Sequence, residues 1–346
     1  MKRQKNKNKS KFFKKIFIKI CRLSGFEIID QSNFHVPTQD KPLNKNLSII
    51  GKKSIVLPLG ETKISRKALS LTVIFRSCTN VNLATQNKKR LYEEDKSEYT
   101  FRALNSLIKS LNEAHSLFPS IKFDMTVVDH NSKDEDVNQI KKQLLKGNFN
   151  TSFISLNTDL FKDKIKLTNE KNNKISDNMI SNMSSIYESI MVAKKSANDL
   201  IYLVEDDYLH QNDAITEMLY TYERISSQLN QDIILCPADY PYLYTKLDST
   251  NIFLGSKKHW RKIDETLLTL LLSKNILIKH WDKFTSMCEF EHDPFEKPLH
   301  ELYKTEQCFS PIPSLTLHFT NVNSIFGLSP NVDWEKIWKE NGDFNS

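Results

Sequence analysis

From Leu71 onward the apolar positions change their period in a regular order, and each change predicts a different element. Leu71-Thr-Val-Ile-Phe-Arg76 is a short β-branched run that reads as a buried strand. Phe101, Leu104, Leu107, Ile108 and Leu111 recur at helical spacing, and Ile121, Phe123, Met125 and Val127 alternate as a second strand ending at Asp129. Ser132-Lys-Asp-Glu135 is a capping-box pattern opening the next helix, and Thr151–Leu156 is a third strand. A Lys/Asn-rich stretch at 157–178 reads as a mobile loop. Met183, Ile186, Tyr187, Ile190 and Met191 place a helix over Ser181–Ala197, which leads into strand Leu200–Val204. A helix bearing Ile215, Met218, Leu219, Tyr222 and Ile225 then leads to strand Ile233–Cys236. This order implies an α/β fold, a mainly parallel central sheet with helices on both faces. After residue 237 the pattern loses its regularity, which predicts a less regular subregion. Trp334 and Trp338 mark a closing helix.

Ahead of Leu71 the chain has a different character. Residues 11–23 set Phe12, Phe13, Ile16, Phe17, Ile20 and Leu23 among lysines at roughly helical spacing. Such a basic amphipathic segment suits an anionic membrane surface; the same lysines also suit a solvated tail. Residues 24–69, with scattered Pro and Gly, read as a linker or irregular lead-in.

The net charge of +7 belongs to that arm. Residues 1–22 carry ten Lys or Arg and no acid, so removing +10 from +7 leaves −3 on the remainder. A nucleic-acid-binding body thereby loses its main support. The 5 Cys are odd in number, scattered and free of any CxxC pair, as expected in a reducing compartment. No apolar run is long enough to span a bilayer. The N-terminal apolar stretch is broken by Lys14, Lys15 and Lys19, unlike a secretory signal. The expectation is a cytoplasmic protein, peripheral on the inner face of a membrane if the arm binds there.

Ligands of open parallel sheets sit at the carboxyl ends of the strands. Three of these ends are polar here: Arg76-Ser-Cys-Thr-Asn80, Asp129-His-Asn-Ser132 and Glu205-Asp-Asp207. With only 7 Gly in the chain, none is followed by the Gly-rich turn of a Rossmann or Walker phosphate site. The acidic triplet offers another way to hold phosphates. In extended chain, residues i and i+2 point the same way, so Glu205 and Asp207 can converge on one hard cation that bridges to a diphosphate.

The order of these signals over roughly residues 70–320 resembles the GT-A glycosyltransferases, in particular family-2-like nucleotide-sugar enzymes. The resemblance implies a GT-A-like fold and Mn²⁺ or Mg²⁺ as cofactor. It assigns Arg76, Asp129, Ser132 and Asp206 to the nucleotide and Asp207, Glu205 and His318 to the metal. Glu205 departs from the acidic motif's usual Asp. A general base is implied on the acceptor side, where Glu289-Phe-Glu291-His292-Asp293 is densest in acid, with Asp293 ahead of Glu291. Asp239, Tyr240 and Trp260 fall where acceptor-binding residues are expected. Polar capping and core packing account for the same residue types equally well.

The resulting layout is an arm at 1–23, a lead-in at 24–69, a nucleotide-sugar half at 70–236, an acceptor half at 237–325 and a tail at 326–346. The implied activity is transfer of a sugar from a nucleotide-diphosphate sugar to a saccharide or lipid-linked acceptor. Two alternatives stay open: a nucleotidyltransferase, and a non-catalytic membrane- or RNA-associated protein with the same body.

Overall fold

The computed structural model describes residues 13, 16–26, 54–57, 60–80, 91–245 and 249–344, with backbone alone for 54–57 and 60–62. Most of the predicted arm and much of the lead-in therefore lie outside the described residues. Residues 16–23 form helix α1. Strands β1 (Ser54–Leu57) and β2 (Gly60–Lys63) pair as an antiparallel hairpin.

The alternating unit begins with β3 (Ser70–Ser77), α2 (Lys96–Leu117), β4 (Lys122–Asp129), α3 (Asp134–Leu144) and β5 (Asn150–Ser155). It continues through α4 (Asp177–Ser196), β6 (Leu200–Glu205), β7 (Tyr208–His210), α5 (Ala214–Leu229) and β8 (Ile234–Leu235). The later elements are β9 (Ile252–Leu254), β10 (His259–Ile263), β11 (Leu270–Ser273), α6 (Lys274–Lys279), α7 (Trp281–Glu289), α8 (Lys297–Leu302), β12 (Cys308–Ile312), β13 (Thr316–His318) and α9 (Trp334–Glu340).

One nine-stranded sheet runs β5-β4-β3-β6-β11-β8-β12-β10-β9, with β7 and β13 as a separate ribbon. Strands β5, β4, β3 and β6 are mutually parallel, and β11 enters antiparallel beside β6. Of the strands after residue 237, β9 to β12 thus extend the same sheet, through long and irregular connections, and β13 pairs with β7 instead.

Period-2 alternation explains why β3 and β6 can sit at the centre. Leu71, Val73 and Phe75 of β3, with Leu200, Tyr202 and Val204 of β6, pack on one face with α2, α3, α5 and α9. Ile74 of β3, with Ile201 and Leu203 of β6, packs on the other face with α4, α6, α7 and α8. A strand buried on both faces needs apolar residues throughout, which is the run the sequence shows.

Two expectations are corrected, and the described end of the irregular lead-in is seen to dock on the body. Ser132 does not cap α3: the N-cap is Lys133, with no side-chain cap, because the Ser132 hydroxyl is spent on Asp129. The stretch at 157–178 holds a 3-10 turn at Thr158–Phe161, and Phe161, Ile165 and Ile175 are buried against α4 and its neighbours. Residues 63–69 are docked: Ser65 and Arg66 N–H groups donate to Ser227 Oγ, and Arg66 spans Asp199 and Asp232.

The fold also buries a titratable group. His210 in β7 is 1% exposed, with Nε2 at 2.7 Å from the Tyr202 hydroxyl. Burial pushes its imidazole down to about 3. The unfolded chain binds a proton near 6.5 that the folded chain refuses, so stability falls as pH is lowered through the window between these values. Between about pH 7 and 5, wild type should lose roughly 2 kcal/mol more than His210→Gln, read from urea midpoints.

Candidate functional site

The carboxyl ends of β3, β4 and β6 open onto a cavity of about 550 Å³, walled by the start of α4 and by the segments before β11 and α8. Register creates the first contact. Arg76 lies opposite Glu205 on the neighbouring parallel strand, and its Nη2 donates to Glu205 Oε1 at 2.7 Å. Nη1 of Arg76 reaches Asn182 Oδ1 at 3.1 Å, which ties the strand ends to α4.

Asp206 faces the opposite wall. It accepts from the Cys78 N–H at 3.1 Å, from the Thr100 hydroxyl at 2.9 Å and from Lys96 Nζ in the first turn of α2. Burial, with Asp206 nearby, pushes the Cys78 thiol up to about 12, so it remains a thiol.

Asp207 meets His318 because β7 and β13 pair with Tyr208 opposite His318. Asp207 Oδ2 lies 3.2 Å from His318 Nε2, and the imidazole stacks on Tyr208 at 4.8 Å. His318 Nδ1 is 2.8 Å from the Phe326 carbonyl, so it must donate there, and a neutral ring then presents its Nε2 lone pair to the carboxylate. Two lone pairs at this distance require a proton or a cation between them. Burial alone would raise the Asp207 carboxyl and lower the His318 imidazole, but the pair's mutual attraction outweighs it. Asp207 is held well below the usual carboxylate range, and His318 is raised.

The five residues Arg76, Glu205, Asp206, Asp207 and His318, drawn from distant parts of the sequence, thus line one cavity. Asp129 and Ser132 do not. Asp129 is 3% exposed and accepts from the Ser77 and Ser132 hydroxyls, while Ser132 Oγ accepts from the Thr79 N–H. Both side chains knit the two loops together, and their neighbours Asn80, His130 and Asn131 face the cavity instead. Asn131 makes the turn in the left-handed region, at φ 60.

The acceptor-side expectations change most. Asp293 is exposed and paired with Lys171 at 2.6 Å, and neither it nor Glu291 lines the cavity. Glu296, three residues further on, does. Asp239, Tyr240 and Trp260 are fully buried. Asp239 is locked to Arg261 and the Tyr244 hydroxyl, Tyr240 OH to Tyr208 OH at 2.6 Å, and Trp260 Nε1 to Glu217 at 3.2 Å. Their polar atoms are satisfied inside the core, so none reaches an acceptor in this structure.

Sequence reasoning passed over Lys96, Asn182, Asp177 and Glu296. Asn182 had a signal, lying on the polar face of a helix whose apolar stripe was legible. Lys96 had none, being one lysine among many.

The charge of the cavity bears on a metal. Arg76 and Lys96 stand against Asp177, Glu205, Asp206, Asp207 and Glu296, a formal −3 before the proton or cation shared by Asp207 and His318 is counted. A diphosphate entering unaccompanied is repelled. Among the described residues no group of three or more His, Cys, Asp or Glu forms a ready-made metal cage. Glu205 and Asp206 are engaged by Arg76 and Lys96, which leaves Asp207 and His318 as the donor set. One carboxylate and one oriented imidazole fit a cation that takes its remaining ligands from phosphate and water.

No protein-family model matches the sequence, and no curated protein does. Among solved structures, S. aureus TarS aligns with a TM-score of 0.37 at 11% identity, 70% of this chain against 35% of that one. The chain therefore spans about a third of that protein's length. The galactosyltransferase LgtC, in complex with donor and acceptor sugar analogs, gives 0.36 at 14% identity over 69% and 72% of the two chains. UDP-glucose pyrophosphorylase complexed with UDP-glucose gives 0.36 at 7% identity over 78% and 96%. At scores this low the likenesses assign no activity, and the chemistry of the cavity has to supply the functional argument.

Proposed function

We propose that the chain is a divalent-cation-dependent glycosyltransferase that moves a sugar from a nucleoside-diphosphate sugar to a saccharide or lipid-linked acceptor. The observation that carries this reading is the convergence, in one acidic cavity at the strand ends, of Asp207 and His318 aimed at each other. Asp207 and His318 would hold Mn²⁺ or Mg²⁺. When bound, the ion neutralises charge on a diphosphate leaving group.

The chain's own residues do the rest. Arg76 and Lys96 place positive charge near the phosphates while Glu205 and Asp206 hold them in position. His318 Nδ1, anchored on the Phe326 carbonyl, keeps Nε2 facing Asp207. Asn80, His130 and Asn131 offer polar groups to the nucleoside, with Asp129 and Ser132 shaping the loops that carry them. Glu296, on the wall formed with Leu267, Leu268 and Phe295, is the carboxylate placed to take the acceptor hydroxyl's proton.

A nucleotidyltransferase could use the same acids, but the segment after β3, although it carries Lys88, Lys89 and Arg90, has no glycine to let the backbone wrap a triphosphate.

The test is thermal stability with UDP, GDP, CDP and ADP, each with and without Mn²⁺. A ligand present at about 100 times its Kd stabilises by roughly 2.7 kcal/mol. One nucleoside diphosphate should raise Tm, and only with the metal. No shift with any of them in folded protein would leave the non-catalytic binding protein as the better reading.

A further inference from the structure

Helix α1 exposes apolar side chains that no element among the described residues covers. Phe17 is 59% exposed, Ile20 54% and Leu23 82%, with Ile16 and Phe26 also exposed. Residues 16, 17, 20 and 23 fall on one face of a helix, and Lys19 and Arg22 flank it. In sequence, residues 1–22 hold ten cations and no acid, while the rest of the chain is slightly negative. Among the described residues no helix is long and apolar enough to cross a membrane.

We infer that α1 docks in the plane of an anionic lipid surface, with Phe17, Ile20 and Leu23 in the acyl boundary and the lysines at the headgroups. Charge complementarity selects this occupant. A second copy of the arm would set ten cations against ten. RNA would satisfy the cations but leave the apolar stripe in water. A bilayer rich in acidic headgroups satisfies both at once. The inference is independent of the reaction carried out in the cavity.

The experiment is co-sedimentation of the full chain with phosphatidylcholine vesicles, with and without phosphatidylglycerol, at low and high salt. Phe17→Ser/Ile20→Ser keeps every charge and alters only exposed positions. Its urea midpoint should match wild type, which shows that the body is intact. Wild type should bind the acidic vesicles at least about tenfold more tightly than neutral ones, more weakly in high salt, and about tenfold more tightly than the double variant. Equal binding by the double variant would overturn the proposal by making the arm a purely electrostatic tail. Failure to bind either vesicle would also overturn it. So would tighter binding to mixed-sequence single-stranded RNA that is unchanged in the double variant, which would make the arm a nucleic-acid ligand.

Discussion

Asp207→Asn is expected to lower sugar transfer by about 10²–10³-fold and to erase the metal-dependent rise in Tm with nucleoside diphosphate. The substitution keeps the shape of the side chain and removes a cavity carboxylate whose partner is an imidazole rather than a permanent cation. Losing about 3–4 kcal/mol of leaving-group stabilisation corresponds to that fall in rate. His318→Ala should move both readouts the same way, since Nε2 is the second donor facing the same point. Glu205→Gln should behave differently. Its carboxylate holds Arg76, so the effect should appear in nucleotide affinity while the requirement for metal persists. Steady-state rates across a Mn²⁺ titration, with Tm measured in parallel, check all three. Unchanged metal dependence in Asp207→Asn would move the cation site elsewhere.

Glu296→Gln should lower kcat by about 10²–10⁴-fold while leaving donor affinity and the Tm response to nucleotide and metal intact. This separates a proton acceptor from a donor ligand, because a base acts only in the chemical step. Asp293→Asn is the control. The Asp293 carboxylate is exposed and paired with Lys171 outside the cavity, so kcat should match wild type. A collapse in Asp293→Asn with an active Glu296→Gln would restore the base to the position that sequence reasoning favoured.

The two acidic neighbourhoods show why one part of the site was legible in sequence and the other was not. Glu205-Asp206-Asp207 directly follows a strand buried on both faces, and strand direction alone puts its end at the ligand edge of the sheet. Around residues 289–296 no such rule applies. The chain passes from α7 into α8 through a turn, and three residues decide whether a carboxylate faces Lys171 or the cavity. Asp239, Tyr240 and Trp260 fail as acceptor residues for a related reason. Aromatic rings with polar tips serve a sugar or a core equally well, and only their partners Arg261, Tyr208 and Glu217 distinguish the two.

By itself, the sequence determined the α/β order, the central strands, the strand ends that border the cavity and the concentration of net positive charge in the arm. These follow from local rules: the hydrophobic period and the sign of charge along the chain. Tertiary structure decided which polar groups meet. It set Arg76 on Glu205 and Lys96 on Asp206, joined Asp207 to His318 across 111 positions, and turned Asp129 inward to its loops. Such pairings depend on register and on the paths of loops, and are selected by burying each charge beside a partner rather than by any periodicity along the chain.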